Sequence, residues 1–302
     1  MKRNILINSL VVTFSLTLLA GCNEETSEPI KEDEYPITLI RPYNGKSVSI
    51  VENEIYDYIN NKNDLSYLAN VLYTRQQNWE NKNEVLRYDH QRLYVQWEDT
   101  NKDETYTVHF ANNEQFDNEF TYTTIETSLK REVGIFIPNV TYYYKVEGSK
   151  SGCSKVDSFI PVAPVRYINA GTVINVRDLG GWETVDGNKL KYGVFYRGGA
   201  LDESVENSHI DEEGIRVFDY LNIKSEIDLR GDSNIIEGDP YTYSNKFNHD
   251  NPILREGLQY MAYEGLFNDS ISKNNLPMIF DFLSNKDNYP VYFHCSVGAD
   301  RT

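Results

Sequence analysis

Near its end the chain sets a thiol and a guanidinium with five residues between them, in Cys295-Ser296-Val297-Gly298-Ala299-Asp300-Arg301-Thr302. A segment of that length can close into a loop whose backbone N–H groups face inward, a concave nest that holds an anion. Arg301 adds a planar fork matched to two oxygens of a phosphoryl group, and Gly298 permits a turn that a Cβ would obstruct. Inward N–H dipoles and a nearby guanidinium favour thiolate over thiol, which makes Cys295 a nucleophile. These residue types therefore allow attack by sulfur on a bound phosphoryl group.

Such a loop must be presented by rigid elements. Pro290-Val291-Tyr292-Phe293-His294 reads as a short buried strand leading straight into Cys295. Before it, Leu276, Ile279, Phe280 and Leu283 predict one apolar helical face, with Pro277 in the first turn where proline is tolerated. Farther upstream, residues 173–181 run from an apolar strand into Gly180-Gly181. Asp186-Gly187 marks a hairpin turn, and Val194 to Gly199 repeats strand into turn. A helix is expected over Asp211 to Tyr220, with Ile215, Phe218 and Leu221 three apart and acidic residues in its first turn. A strand follows at Glu226-Ile227-Asp228-Leu229-Arg230, and this alternation predicts an α/β arrangement.

His294-Cys295, five residues, then Arg301-Thr302 resembles the signature of the protein-tyrosine phosphatase superfamily. Asn175-Val176-Arg177-Asp178-Leu179-Gly180-Gly181, Tyr196-Arg197-Gly198-Gly199, Ile227-Asp228-Leu229-Arg230 and Gly298-Ala299-Asp300-Arg301 are similar to motifs of its bacterial tyrosine/serine phosphatase group, over about residues 165–302. The resemblance implies that Cys295 attacks phosphorus, that water hydrolyses the resulting cysteinyl-phosphate, and that Arg301 holds the equatorial oxygens. It implies a cradle of amides from Ser296, Val297, Gly298 and Ala299 through Arg301, with His294 tuning the thiolate from behind and no metal or organic cofactor. For the general acid it favours Asp300, inside the loop. Asp269, at a spacing similar to acids of dual-specificity phosphatases, competes, although Asn268-Asp269-Ser270 is also an ordinary turn signal. Arg177 and Asp178 either border the pocket or brace the double-glycine turn. Ala299 stands where several relatives, phosphoinositide phosphatases among them, carry lysine, which disfavours lipid substrates. The family would continue past Thr302 through a glycine into a long helix aimed at the phosphate, so the domain is expected to be incomplete here.

In the preceding region, Leu93-Tyr94-Val95-Gln96-Trp97, Tyr106-Thr107-Val108-His109-Phe110 and Tyr142-Tyr143-Tyr144-Lys145-Val146 are strand-like runs separated by polar turns, the pattern of a small β-sandwich. Over roughly residues 88–162 their order, with Pro138-Asn139-Val140-Thr141, resembles a fibronectin type III domain. That likeness implies core roles for Trp97 and for one of Tyr142 to Tyr144. Leu65, Leu68 and Leu72, after the possible cap Asp64, predict an amphipathic helix inserted in this region. The five histidines are scattered, and His109 has no second histidine at metal spacing, so no metal site is expected.

At the N-terminus, Lys2 and Arg3 precede an apolar run from Ile5 to Leu19, a signal-peptide layout. Leu19-Ala20-Gly21-Cys22 resembles the lipobox of bacterial lipoproteins, which implies lipidation of Cys22 and stable anchoring by two acyl chains. The acidic stretch after it reads as a tether. With 302 residues, the chain is long enough for two modest domains at about 150 residues each. A net charge of −17 argues against nucleic-acid binding. Three cysteines cannot make a disulfide scaffold; Cys153, left over once Cys22 and Cys295 have roles, could join Cys295 in an oxidising compartment.

The expected organisation is multidomain: a signal peptide over 1–21, a tether over 22–35, a fibronectin type III-like β-sandwich over 36–162, and an incomplete α/β cysteine-phosphatase domain over 163–302. The expected function is hydrolysis of phosphotyrosine, with phosphoserine and phosphothreonine open, on phosphorylated proteins or peptides. The expected place is the extracytoplasmic face of a bacterial membrane, held through the lipid anchor. The alternative is a catalytically inactive surface lipoprotein acting as a binding module.

Overall fold

The structure, a computed structural model, describes residues 35–50, 61, 66, 93–101, 103–124, 128–162, 166–202, 209–229, 259–262, 277, 279–298 and 302. The expected signal peptide, Cys22 and nearly all of the tether lie outside these residues. So does the predicted helix at Leu65 to Leu72, apart from Ser66, which is helical.

Among the described residues, nine strands precede residue 163: β1 (Ile37–Ile40), β2 (Lys46–Ser49), β3 (Leu93–Asp99), β4 (Tyr106–Ala111), β5 (Phe120–Thr123), β6 (Lys130–Val133), β7 (Tyr142–Gly148), β8 (Gly152–Cys153) and β9 (Asp157–Val162). They form two sheets, β1-β3-β6 and β2-β9-β7-β4-β5, with β8 paired to β7. Successive residues on a strand point to opposite faces. Accordingly Leu93, Val95 and Trp97 of β3 and Tyr142, Tyr144 and Val146 of β7 turn inward and pack in one core. Trp97 is fully buried with its ring 5.2 Å from that of Tyr106. Phe159 sits among Phe136, Tyr144 and Phe110. His109 lies between Glu119 and Glu147. Cys295 is not disulfide-bonded, so the pairing with Cys153 that the sequence left open is not formed.

The second region contains β10 (Arg166–Tyr167), β11 (Arg177–Asp178), β12 (Phe195–Gly198), a helix α1 (Glu212–Tyr220), β13 (Ser225–Asp228), β14 (Gln259–Ala262) and β15 (Val291–His294). Its sheet runs β10-β11-β12-β15-β13-β14, antiparallel from β10 to β12 and parallel from β12 onward. The helix α1 starts where its cap predicts, with the Asp211 carboxylate accepting from Gly214 N at 2.7 Å. Its Phe218 packs on Tyr292 at 4.9 Å between ring centroids. On the other face of the sheet, Ile279 and Phe282 of the helical segment 279–284 pack with Val291 and Ile227. Of the expected stripe, Leu276 lies outside the described residues, and one position is corrected: Phe280 is exposed, and Phe282 takes the inward flank. Parallel strands with a helix on each face are compatible with α/β layering, although β-structure dominates the described residues. Among them no helix is long and apolar enough to cross a membrane.

The two regions are joined by more than the chain. Phe120 packs on Tyr220 of α1, Arg131 pairs with Glu213, and the Tyr122 hydroxyl donates to Asn169 O. Arg166 donates from Nε and Nη2 to Ile135 O and from Nη1 to Asp178 Oδ2 at 2.8 Å. Both partners of that ion pair are buried. Removing one member of a buried pair strands the other charge, at a cost of about 3–5 kcal/mol. Arg166→Met should therefore lower the urea-unfolding free energy by about 3 kcal/mol or more, with Arg166→Lys falling between it and the native chain.

Candidate active site

The strand β15 lies between two parallel neighbours and ends at Cys295, which is 1% exposed. The loop that follows is fixed by its carbonyl groups. Ser296 O accepts from Ala200 N at 3.0 Å, Val297 O accepts from Asn175 Nδ2 at 2.7 Å, and Gly298 O accepts from Arg197 Nη2. In a trans peptide the C=O and the next N–H point in opposite directions. Capture of the Ser296 and Val297 carbonyls by donors on one side thus directs the Val297 and Gly298 N–H groups to the other, the arrangement an anion nest requires. Gly298 has φ +68°, and a Cβ there would stand 2.4 Å from the Gly198 backbone. Only glycine lets the loop lie so close to β12.

The faces of the sheet separate two sets of charges. Arg177 and Arg197 are cross-strand partners on β11 and β12, both half-buried, on the face to which Cys295 belongs. Burial and then the neighbouring Arg177 hold the Arg197 guanidinium below its ordinary value, while the charge of Cys295 acts in the opposite sense. Like charges placed opposite each other repel, so this corner is poised for an anion. Asp178 lies on the reverse face, fully buried, paired with Arg166 and accepting from Gly180 N and Gly193 N, both at 2.8 Å. Of the two readings of Asp178, bracing of the turn is what the structure presents; bordering the pocket is corrected, because the side chain points away from Cys295.

His294 is also on the reverse face, wholly buried. Its Nε2 is 2.6 Å from Glu226 Oε1, and its Nδ1 is 3.1 Å from Cys295 O and 3.8 Å from Asp228 Oδ1. It stands directly behind Cys295 in the chain, on the opposite face of the strand. Ser296, Val297 and Gly298 follow β15 as the described part of the loop, whereas Ala299, Asp300, Arg301 and the competing acid Asp269 lie outside the described residues. Among the described residues no group of three or more His, Cys, Asp or Glu side chains could hold a metal ion.

Three residues of the site carried no role in the sequence reading. Asn175 and Arg197 appeared only as letters of motifs, and their task is to receive loop carbonyls. Glu226 was read as one residue of a strand. The signal for it was available: a carboxylate in a strand flanked by parallel neighbours on both sides must find a buried partner.

Residues 168–302 match the family model described as the tyrosine phosphatase family. That match supports phosphatase activity, a hydrolase reaction on phosphate esters, for this part of the chain. No curated protein matches the chain. If the loop is the phosphate cradle, Gly298→Ala should damage turnover more than stability. A strained φ costs about 1–3 kcal/mol, while an ångström of displacement at the reacting group costs about 10²-fold in kcat. Steady-state kinetics beside urea unfolding checks this.

Proposed function

We propose that the chain is a cysteine-dependent phosphatase acting on phosphotyrosine, held outside the cytoplasm by lipid on Cys22. The observation that carries this reading is the outward capture of the Ser296, Val297 and Gly298 carbonyls beside a buried Cys295 thiol. The phosphoryl group sits on the inward N–H groups of the loop, with the Arg301 guanidinium on its equatorial oxygens. The Cys295 thiolate attacks phosphorus, the S–P bond forms and the P–O bond to the tyrosyl oxygen breaks. That oxygen takes a proton from Asp300 as it leaves. Water then attacks the cysteinyl-phosphate, returning the thiolate and releasing inorganic phosphate. Arg177 and Arg197 add positive potential next to the sulfur.

For the N-terminal region we propose a fibronectin type III-like sandwich that presents the catalytic part at a distance from the membrane. Support comes from the strand orders β1-β3-β6 and β9-β7-β4-β5 and from the buried Trp97 between them. A tyrosine-rich inner face is used up as core and is not offered to a ligand.

Hydrolysis of para-nitrophenyl phosphate and of a phosphotyrosine peptide by the full chain tests the proposal. Cys295→Ser is expected to remove activity by more than about 10³-fold and vanadate to inhibit the native chain. Unchanged turnover in Cys295→Ser would end the proposal. For the acid, Asp300→Asn should lower kcat about 10²-fold and flatten the basic limb of the pH profile, while Asp269→Asn leaves both in place.

A further inference from the structure

Glu226 and Asp228 of β13 and His294 of β15 are 2%, 0% and 0% exposed. Three ionisable side chains share this dry volume behind Cys295, and a buried carboxylate is costly unless it is paired. The hydrogen bonds of the histidine fix where its protons are. Its Nδ1 is 3.1 Å from the carbonyl of Cys295, and a carbonyl can only accept, so Nδ1 carries a proton. Its Nε2 is 2.6 Å from Glu226 Oε1, and one further proton lies between those two atoms. Asp228, 3.8 Å from Nδ1, biases that proton toward the ring, because a second carboxylate favours the cationic imidazolium over the neutral base.

We propose that Glu226 is a positioning residue that keeps His294 as an imidazolium, and that this buried cation, bonded to the carbonyl of Cys295, lowers the pKa of the thiol. The inference rests on the reading of Cys295 as the nucleophile. The groups facing the pair can be named from each neighbouring element among the described residues. The strand β13 contributes Glu226 and Asp228, and β15 itself contributes Tyr292, stacked on the histidine ring at 5.6 Å. On β12, Tyr196 lies on the same face and Arg197 on the sulfur's face. From α1 the side chains packed into this core are apolar, Val217 and Phe218. The Tyr292 hydroxyl is committed as a donor to Gly199 O at 2.6 Å. Among the described residues, Glu226 is the carboxylate within hydrogen-bond distance of a His294 ring nitrogen, placed to hold the second ring proton.

The test reads the thiol and the ring directly, in the full chain. Thiolate absorbance near 240 nm and the rate of alkylation by iodoacetamide, followed against pH, give the Cys295 midpoint. Glu226→Gln keeps the shape and removes the charge; the midpoint should rise by about one pH unit. In a His294→Asn background the same change should add nothing, since Glu226 then has no imidazolium to sustain. A midpoint that stays put in a folded Glu226→Gln protein, or that moves equally in the His294→Asn background, would overturn the proposal. Should Glu226→Gln fail to fold, ¹⁵N NMR of the native chain decides: both ring nitrogens of His294 protonated at pH 7.5 is the expected result, and a neutral ring sinks the idea. These readouts do not depend on turnover. A native chain that hydrolyses no phosphate ester yet shows the depressed thiol midpoint would defeat the phosphatase reading and leave this one standing.

Discussion

A loop that binds an anion through its backbone must turn its carbonyl oxygens away from the anion, and something must receive them. In this protein the receivers belong to segments about a hundred residues earlier in the chain. The amide of Ala200, the side-chain amide of Asn175 and the guanidinium of Arg197 take three carbonyls in a row. The position of β12 beside β15, and the absence of a side chain at Gly298, follow from that requirement. Under the proposed function, a loop fixed in this way is ready before phosphate arrives, so binding has less ordering entropy to offset.

The second theme is charge out of water. Arg166 with Asp178, and His294 with Glu226 and Asp228, lie on the reverse face of the sheet, where each carboxylate has a cation or an N–H at hand. The sulfur's face carries Arg177 and Arg197. The chain as a whole bears −17, but charges in solvent are screened over about 8 Å at physiological salt. The potential felt by a ligand at Cys295 is therefore set by the two arginines and the loop dipoles rather than by the distant acidic surface. Overall charge and local affinity have opposite signs here without contradiction.

Elements with a local cause were legible in the sequence. Asp211 announces α1 through its side-chain cap, and the strand before Cys295 is marked by its apolar run. Where two patterns fit equally, the sequence could not choose: a stripe through Ile279 and Leu283 can flank inward with either Phe280 or Phe282. The packing of Phe282 with Val291 and Ile227 decides it. The apolar run at 173–176, read as a strand, forms turns with one isolated bridge at Val173, and the strands nearby, β10 and β11, are two residues long with no periodicity to read. The site divided along the same line. Cys295 and the loop were legible because their spacing is short, whereas Asn175 meets Val297 across 122 residues of chain, a relation that no local pattern encodes.

The apolar interior does not stop at the prolines near residue 161. Tyr122, Phe120 and Ile135 belong to the same core as Val217, Phe218 and Tyr292. A polypeptide begun at Arg166 would uncover that wall and leave the guanidinium without the Ile135 carbonyl. The catalytic half uses its neighbour as part of its own inside. Melting, proteolytic trimming and evolutionary shuffling therefore act on both halves as one object, and a hybrid carrying a foreign module in front would need a replacement for the missing wall.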